Sequence, residues 1–434
     1  MKMKKRNIRL FAAFATATAL AAPAALADLV VPNFSYRTGP YAANGAPYAD
    51  GFNDYFTLLN ERDGGVGGQK IAVPECETSY NTEKGVECYE SLKGQNPVVI
   101  APVSTGIAYQ LIPKVSADKI PMYTPGFGRT SAQDGRVFEW VFNAPTNYWD
   151  GASIAIKYLL DEHGGDLNGK NIALLYHNSA FGKEPIRTLQ ELSKKHGFKL
   201  TEIPVDPGSS QEQKSQWLQI RREKPDHVIL YGWGVMNPAA IQEAANTRYP
   251  LDQMIGIWWS GTEVDVMAAG AGANGYKAMA FHGSGRDYPL YDDLKTHVFD
   301  KGLASQGGPH IGTVLYSRGM HSAMVTAEAI RKAQELAGTD AVTAAQVRDG
   351  FEALDISDER LAELGLSGFS PAIKTSCEDH GGSGMALVQQ WDASAKTWNP
   401  ITDFYEPDND VVDALIRADS EAFAKENNIT LRCD

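Results

Sequence analysis

From residue 98 to residue 281 the chain alternates short apolar runs with longer stretches of helical spacing, and few architectures accept that rhythm. Val98-Val99-Ile100-Ala101-Pro102 reads as a buried strand and Ile107 to Asp118 as the helix after it. Asn171 to Tyr176 with Pro185 to His196, and His227 to Gly232 with Pro238 to Asn246, repeat the pair. Strands connected by helices lie parallel and bury both faces. Breaks at Asn143-Ala144-Pro145-Thr146-Asn147 and at His282-Gly283-Ser284-Gly285-Arg286-Asp287 divide the pattern, and 434 residues are long for one core. The expectation is an α/β chain of two doubly wound lobes. Helices are expected at Met320 to Ala337 and Ala344 to Leu354, followed by a Gly-rich, Cys-containing tail that adds no new domain.

The N-terminus sets the compartment. Lys2, Lys4, Lys5, Arg6 and Arg9 precede an apolar run from Leu10 to Ala22, and Ala25-Leu26-Ala27 precedes Asp28. That is the pattern of an export signal over 1–27, cleaved after Ala27. The run is short for a bilayer, and Asp28 is not a cysteine that accepts lipid. The exported part keeps 35 basic against 53 acidic residues, a formal charge of −18. Such a surface suits solubility and not nucleic acid. Export also exposes Cys76, Cys88, Cys377 and Cys433 to an oxidising space, so two disulfides are expected. Of the three pairings, closeness in sequence favours Cys76 with Cys88, and the shared place of Cys377 and Cys433 in the terminal region favours the second pair. No Cys-x-x-Cys spacing supports a structural zinc.

Motifs of catalysis fail on context. Gly270 to Gly275 (GAGANG) matches a dinucleotide-binding spacing, but a strand-like Tyr276 to Phe281 follows where a helix is needed, so a turn is expected. Gly164 to Lys170 (GGDLNGK) resembles a phosphate-binding loop with Asn171 in place of the magnesium-holding hydroxyl and the elements in reverse order. His-Glu-x-x-His and Gly-x-Ser-x-Gly are absent, and the nine histidines form no ligand-spaced cluster. Neither an enzyme, a cofactor nor a metal site is expected. His177, beside Asn178 and Ser179 after a strand, is placed near a cleft, either in recognition or as a loop histidine bonded to backbone.

Thr38-Gly39-Pro40-Tyr41-Ala42, Asn60 and Gly64 to Ile71 (GGVGGQKI) are followed by Val98 to Ser104, Pro121 to Pro125, Tyr158-Leu159 and Phe181-Gly182. In order and spacing these segments resemble the leucine/isoleucine/valine-type periplasmic binding proteins of ABC importers, closely from about residue 30 to 280 and loosely beyond. The resemblance implies two αβ lobes of the type I periplasmic binding protein fold joined by three hinge crossings, here 28–147 with 282–372 and 148–281 with 373–434. It also implies a ligand held between the lobes, a periplasmic location without lipid anchor, an inner-membrane ABC permease as partner, and a monomer. A ligand sensor for a membrane receptor, or a conventional branched-chain amino acid binder, are the alternatives.

The same resemblance assigns candidate site residues. Ser104 and Thr105, between a strand end and a helix start, match positions that contact a ligand carboxylate, and their hydroxyls and free N–H groups suit that task as well as helix capping. Gly126 and Gly128 stand where two further anchors lie and leave only backbone there. Arg129 beside them is either a substitute charge or a solvent-facing arginine. Tyr41 and Phe181 belong to the matching segments. Trp233 falls where amino-acid binders carry a tyrosine, and Trp258 about where they carry the acid that holds the α-ammonium. Either tryptophan serves core or cleft, and their positions after strands favour the cleft. Without that acid, unless Glu263 or Asp265 replaces it, an α-amino acid binds poorly. A small acid with an apolar or aromatic body, or an amino-acid-like solute, is the expected ligand, with a cation held by aromatic faces as the rival and an amide or alcohol as a further alternative.

Overall fold

The computed structural model describes residues 27–433; apart from Ala27, the export signal read over 1–27 lies outside the described residues. The larger sheet has seven strands. Asn171–His177 pairs in parallel with Lys199–Val205 on one side and with His227–Tyr231 on the other. Met254–Gly256 and Lys277–Ala280 extend the parallel run. Every residue of His227–Tyr231 is buried, as a strand covered by helices on both faces requires. Counted along the chain, these five strands stand in the order second, first, third, fourth, fifth. The order reverses between the first and third, and a crevice opens at their carboxyl ends.

The other lobe repeats that order in shorter pieces. Leu29–Val30 and Asn33–Ser35 pair with Ile71–Ala72 and Glu75–Glu77, and on the other side with Ala101; Ile100 pairs with Met122, and Met122–Tyr123 with Val141–Phe142. The run expected as a strand at Val98 to Pro102 therefore pairs only through the Val98 N–H, given to Val30 at 2.9 Å, and through single bridges at Ile100 and Ala101. Pro102 has no N–H to extend the ladder, and Val103 turns to φ +40°.

Helices expected from spacing form at Thr105–Asp118, Ile186–His196, Met236–Thr247 and Ala344–Glu352. Val314–Ala337 begins earlier than the spacing indicates because Thr313 caps it, accepting from the Tyr316 N–H. This helix crosses Ala42–Arg62 backbone to backbone: a methyl at Gly51 would overlap the Tyr316 carbonyl, and one at Gly319 the Tyr48 carbonyl. The tail is more ordered than its composition suggests. Leu387–Asp392 adds antiparallel to Lys277–Ala280 and turns back as Thr397–Pro400, and a 19-residue helix, Asn409–Asn427, packs on both lobes. The chain passes between the sheets three times, through 143–147, 281–286 and 381–386.

Both disulfides are the expected pairs, Cys76–Cys88 and Cys377–Cys433. The first ties Glu75–Glu77 to the helix Thr82–Leu92; the second holds the C-terminal tail against the last crossing. Their sequence separations, 12 and 56 residues, give different restraints on the unfolded chain. Replacing Cys377 and Cys433 by Ser is expected to lower stability by about 1 kcal/mol more than replacing Cys76 and Cys88. Denaturant titration of the two double variants measures the difference.

Candidate functional site

The two crevices face each other and close on one narrow cavity. From the first lobe it is lined by Tyr36, Tyr80, Val103, Ser104, Thr105 and Phe127. Tyr36 and Val103 follow the first and third strands of that lobe, the two that flank its point of reversal. From the second lobe come Tyr148, Phe181, Trp233 and Trp259. Tyr148 is fixed by the capping box just before it, in which Asn147 accepts the Trp149 and Asp150 N–H groups and Asp150 accepts back from the Asn147 N–H.

Seven of the ten lining side chains are aromatic and none is acidic. Trp233 stands edge-on to Trp259 at 5.2 Å and to Tyr36 at 6.4 Å; Tyr36 meets Tyr80 at 5.1 Å and Tyr148 meets Phe181 at 5.3 Å. These are the spacings of packed aromatic pairs. The polar groups are few. Ser104 accepts the Ile107 N–H at 3.4 Å, which leaves the first-turn N–H groups of Thr105 and Gly106 without an intrahelical acceptor. Thr105 Oγ1 accepts from the Gly128 N–H at 3.2 Å and lies 3.1 Å from the Tyr148 hydroxyl across the lobes. The Trp233 indole N–H is buried and has no acceptor among the described residues.

A clasp closes the cavity. The indole N–H groups of Trp258 and Trp259 both donate to the Gly126 carbonyl, each at 2.8 Å, from one lobe to the other. Gly126 has φ +68°, and a Cβ there would lie 2.8 Å from Phe281 and 3.0 Å from the Trp258 nitrogen. Only glycine fits that backbone and that approach. At the mouth, the Tyr41 hydroxyl is 3.2 Å from His177 Nε2, and His177 Nδ1 is 2.8 Å from the Ser179 hydroxyl. Burial pushes the His177 pKa down to about 4, so its ring is neutral at pH 7.

Of the residues singled out in the sequence, Ser104, Thr105, Phe181 and Trp233 line the cavity. Tyr41 and His177 bridge its mouth, and Gly126 and Gly128 contribute backbone behind it. Trp258 is one layer back: fully buried, stacked on Tyr148 at 6.2 Å with planes 8° apart, while its neighbour Trp259 forms the wall. Arg129 does not reach the cavity. It pairs with Asp419 on the C-terminal helix, hydrogen-bonds Ser131 and lies 4.6 Å from the Phe423 ring.

Glu263 and Asp265 do not reach it either. Both Glu263 oxygens accept the Val314 N–H at 3.2 Å. Asp265 accepts from the Thr262 N–H and hydroxyl and from Asn237, and burial pushes its pKa up to about 7. Tyr36, Tyr80, Val103, Phe127, Tyr148 and Trp259 were not singled out in the sequence. The signal for Trp259 is the Trp258-Trp259 pair after a strand, and that for Tyr148 is the cap at Asn147.

Among the described residues no group of three His, Cys, Asp or Glu is arranged to hold a metal ion, and no helix is long and apolar enough to cross a membrane. A family model described as periplasmic binding protein matches residues 29–396. A solved structure from the Pseudomonas fluorescens group, described as an ABC transporter permease, is 38% identical with a TM-score of 0.87, covering 94% of this chain and 99% of that one. Leu/Ile/Val-binding protein homolog 3 of Brucella melitensis biotype 1 is 25% identical over 232 residues, 52% of this chain and 60% of the relative. The match thus spans less than two thirds of that relative. A branched chain amino acid ABC transporter protein from Thermus thermophilus with bound valine shares the fold, with a TM-score of 0.74 at 19% identity over 89% of this chain and 98% of that one. With a match running from the first strand to the edge hairpin, across two lobes of one strand order closed on a shared cavity, this chain belongs to the periplasmic binding protein family.

Proposed function

We propose that this protein is the periplasmic solute-binding component of an ABC importer, capturing a small carboxylate with an aromatic or apolar body and delivering it, as a monomer, to an inner-membrane permease. The observation that carries the solute class is the cavity lining of seven aromatic side chains with no acid. Apolar walls favour an apolar body through burial and ring contacts. The free N–H groups at Thr105 and Gly106, the hydroxyls of Ser104 and Thr105 and the unpartnered Trp233 N–H are donors for a carboxylate. Hinge closure around solute is the general behaviour of this family, and the proposed role includes no chemical change of the solute.

A thermal-shift panel tests the reading. Benzoate, phenylacetate and isocaproate, each beside its amide, are compared with benzyltrimethylammonium. Binding to the folded form alone raises Tm, and carboxylates are expected to do so where amides and the cation do not. Replacing both Ser104 and Thr105 by Ala is expected to weaken the best carboxylate by about 1 to 3 kcal/mol in a calorimetric titration. Unchanged affinity leaves the pair as a helix cap only.

A further inference from the structure

Behind the aromatic wall lies a cation the fold does not neutralise. Arg318, on Val314–Ala337, is completely buried. Its Nε donates to His282 Nε2 at 3.0 Å and Nη1 to the Trp258 carbonyl at 2.6 Å, while Nη2 has no acceptor. No carboxylate lies within ion-pair distance of it among the described residues. The guanidinium sits 4.7 Å from the ring centre of Trp259, which lines the cavity, and 5.0 Å from that of Phe281.

The groups around Arg318 do not cancel its charge. Tyr48, brought close by the tight helix crossing, and Ser322, one helical turn on from Arg318, offer only neutral hydroxyls. Burial and the arginine push His321 down to about 3 and His282 well below the usual histidine range, so both are neutral at pH 7. Burial raises Glu263 and takes Asp265 to about 7, weakening the two acids that act on Arg318 from a distance. The arginine itself, drawn down to about 9 by burial, stays charged. A buried charge without a partner is costly, and an opposite charge placed nearby relieves that cost.

We propose that Arg318 is the residue that makes the cavity selective for anionic solutes, acting through Trp259 without lining the cavity itself. The inference rests on the carboxylate reading above, under which an aromatic box that alone would suit a quaternary ammonium is expected to reject one here. A bound carboxylate supplies the counter-charge that the protein withholds, an amide of the same shape supplies none, and a cation adds repulsion in a region of low dielectric.

The test is the ratio of affinities for each carboxylate and its amide in the same panel, measured on wild type, Arg318→Gln and Arg318→Lys. Gln keeps a donor for the Trp258 carbonyl and removes the charge, so the ratio is expected to fall by at least about tenfold. Lys keeps the charge and with it the preference at low pH; as pH rises toward 8, through the depressed pKa of a buried lysine, the preference is expected to fade, whereas wild type, charged up to about 9, keeps it over that range. This second readout holds if Arg318→Gln does not fold. A folded Gln variant with the wild-type ratio, or a Lys variant whose ratio ignores pH, overturns the role of Arg318 and leaves the carboxylate reading standing. If no carboxylate binds wild type, or the amides or the cation bind it as well, the carboxylate reading falls and this inference with it.

Discussion

Leucine is expected to bind at least a hundredfold more weakly than isocaproate, which has the same body and carboxylate without the amino group. The ammonium would enter a cavity with no acid in its lining. Stripping water from an ammonium without a partner carries an effective penalty of several kcal/mol, and about 3 kcal/mol already exceeds a factor of a hundred. The buried acids nearby in sequence are engaged elsewhere. Glu263 and Asp265 hold backbone of their own surroundings, and Glu184, three residues beyond Phe181, accepts the Tyr109 hydroxyl and the Thr130 N–H. Arg318 adds a second positive charge behind the wall. Calorimetric titration of both solutes decides it: tight leucine binding with weak isocaproate binding would mean that an acid turns into the cavity on binding, and the conventional branched-chain amino acid reading takes over.

Removing the Trp259 indole is expected to cost solute affinity about 3 to 4 kcal/mol, several hundredfold, in the range of large aromatic truncations. The residue is wall, clasp donor and cover for Arg318 together, 5% exposed and in ring contact with Trp233 and Phe127. Trp258→Ala removes the other clasp donor and keeps the wall. That side chain packs behind Tyr148 and does not meet the cavity, so its loss is expected to lower Tm strongly while affinity changes less. Melts and titrations of both variants, run together, distinguish wall from core; equal affinity losses would remove the distinction.

The sequence carried the lobes because hydrophobic spacing repeats locally, and that repetition survives in Asn171–His177 and Thr105–Asp118. Ser104, Thr105 and Trp233 were legible because each directly follows a strand whose end faces the crevice. The rest was decided by turns and by distant partners. A single 3-10 turn over Trp258–Ser260 determines which of two adjacent tryptophans faces the cavity. Tyr80 reaches the cavity from a loop with φ +57°, where no periodicity announces it. Arg129 turns to Asp419, 290 residues away in the chain, a pairing that no spacing reveals. The edge hairpin at the C-terminus was hidden in a tail whose glycines read as breaks.

The two indoles on the Gly126 carbonyl also govern timing. Their donors are consecutive residues of one lobe and their acceptor is a single atom of the other, so separation of the lobes breaks both bonds in one movement. At about 0.5–1.5 kcal/mol net for each bond, opening is expected to be slowed roughly five- to 150-fold relative to lobes without them. The residence time of a solute is therefore expected to depend partly on a carbonyl outside the cavity lining, and a docking partner that competes for that oxygen would shorten the dwell without altering the walls.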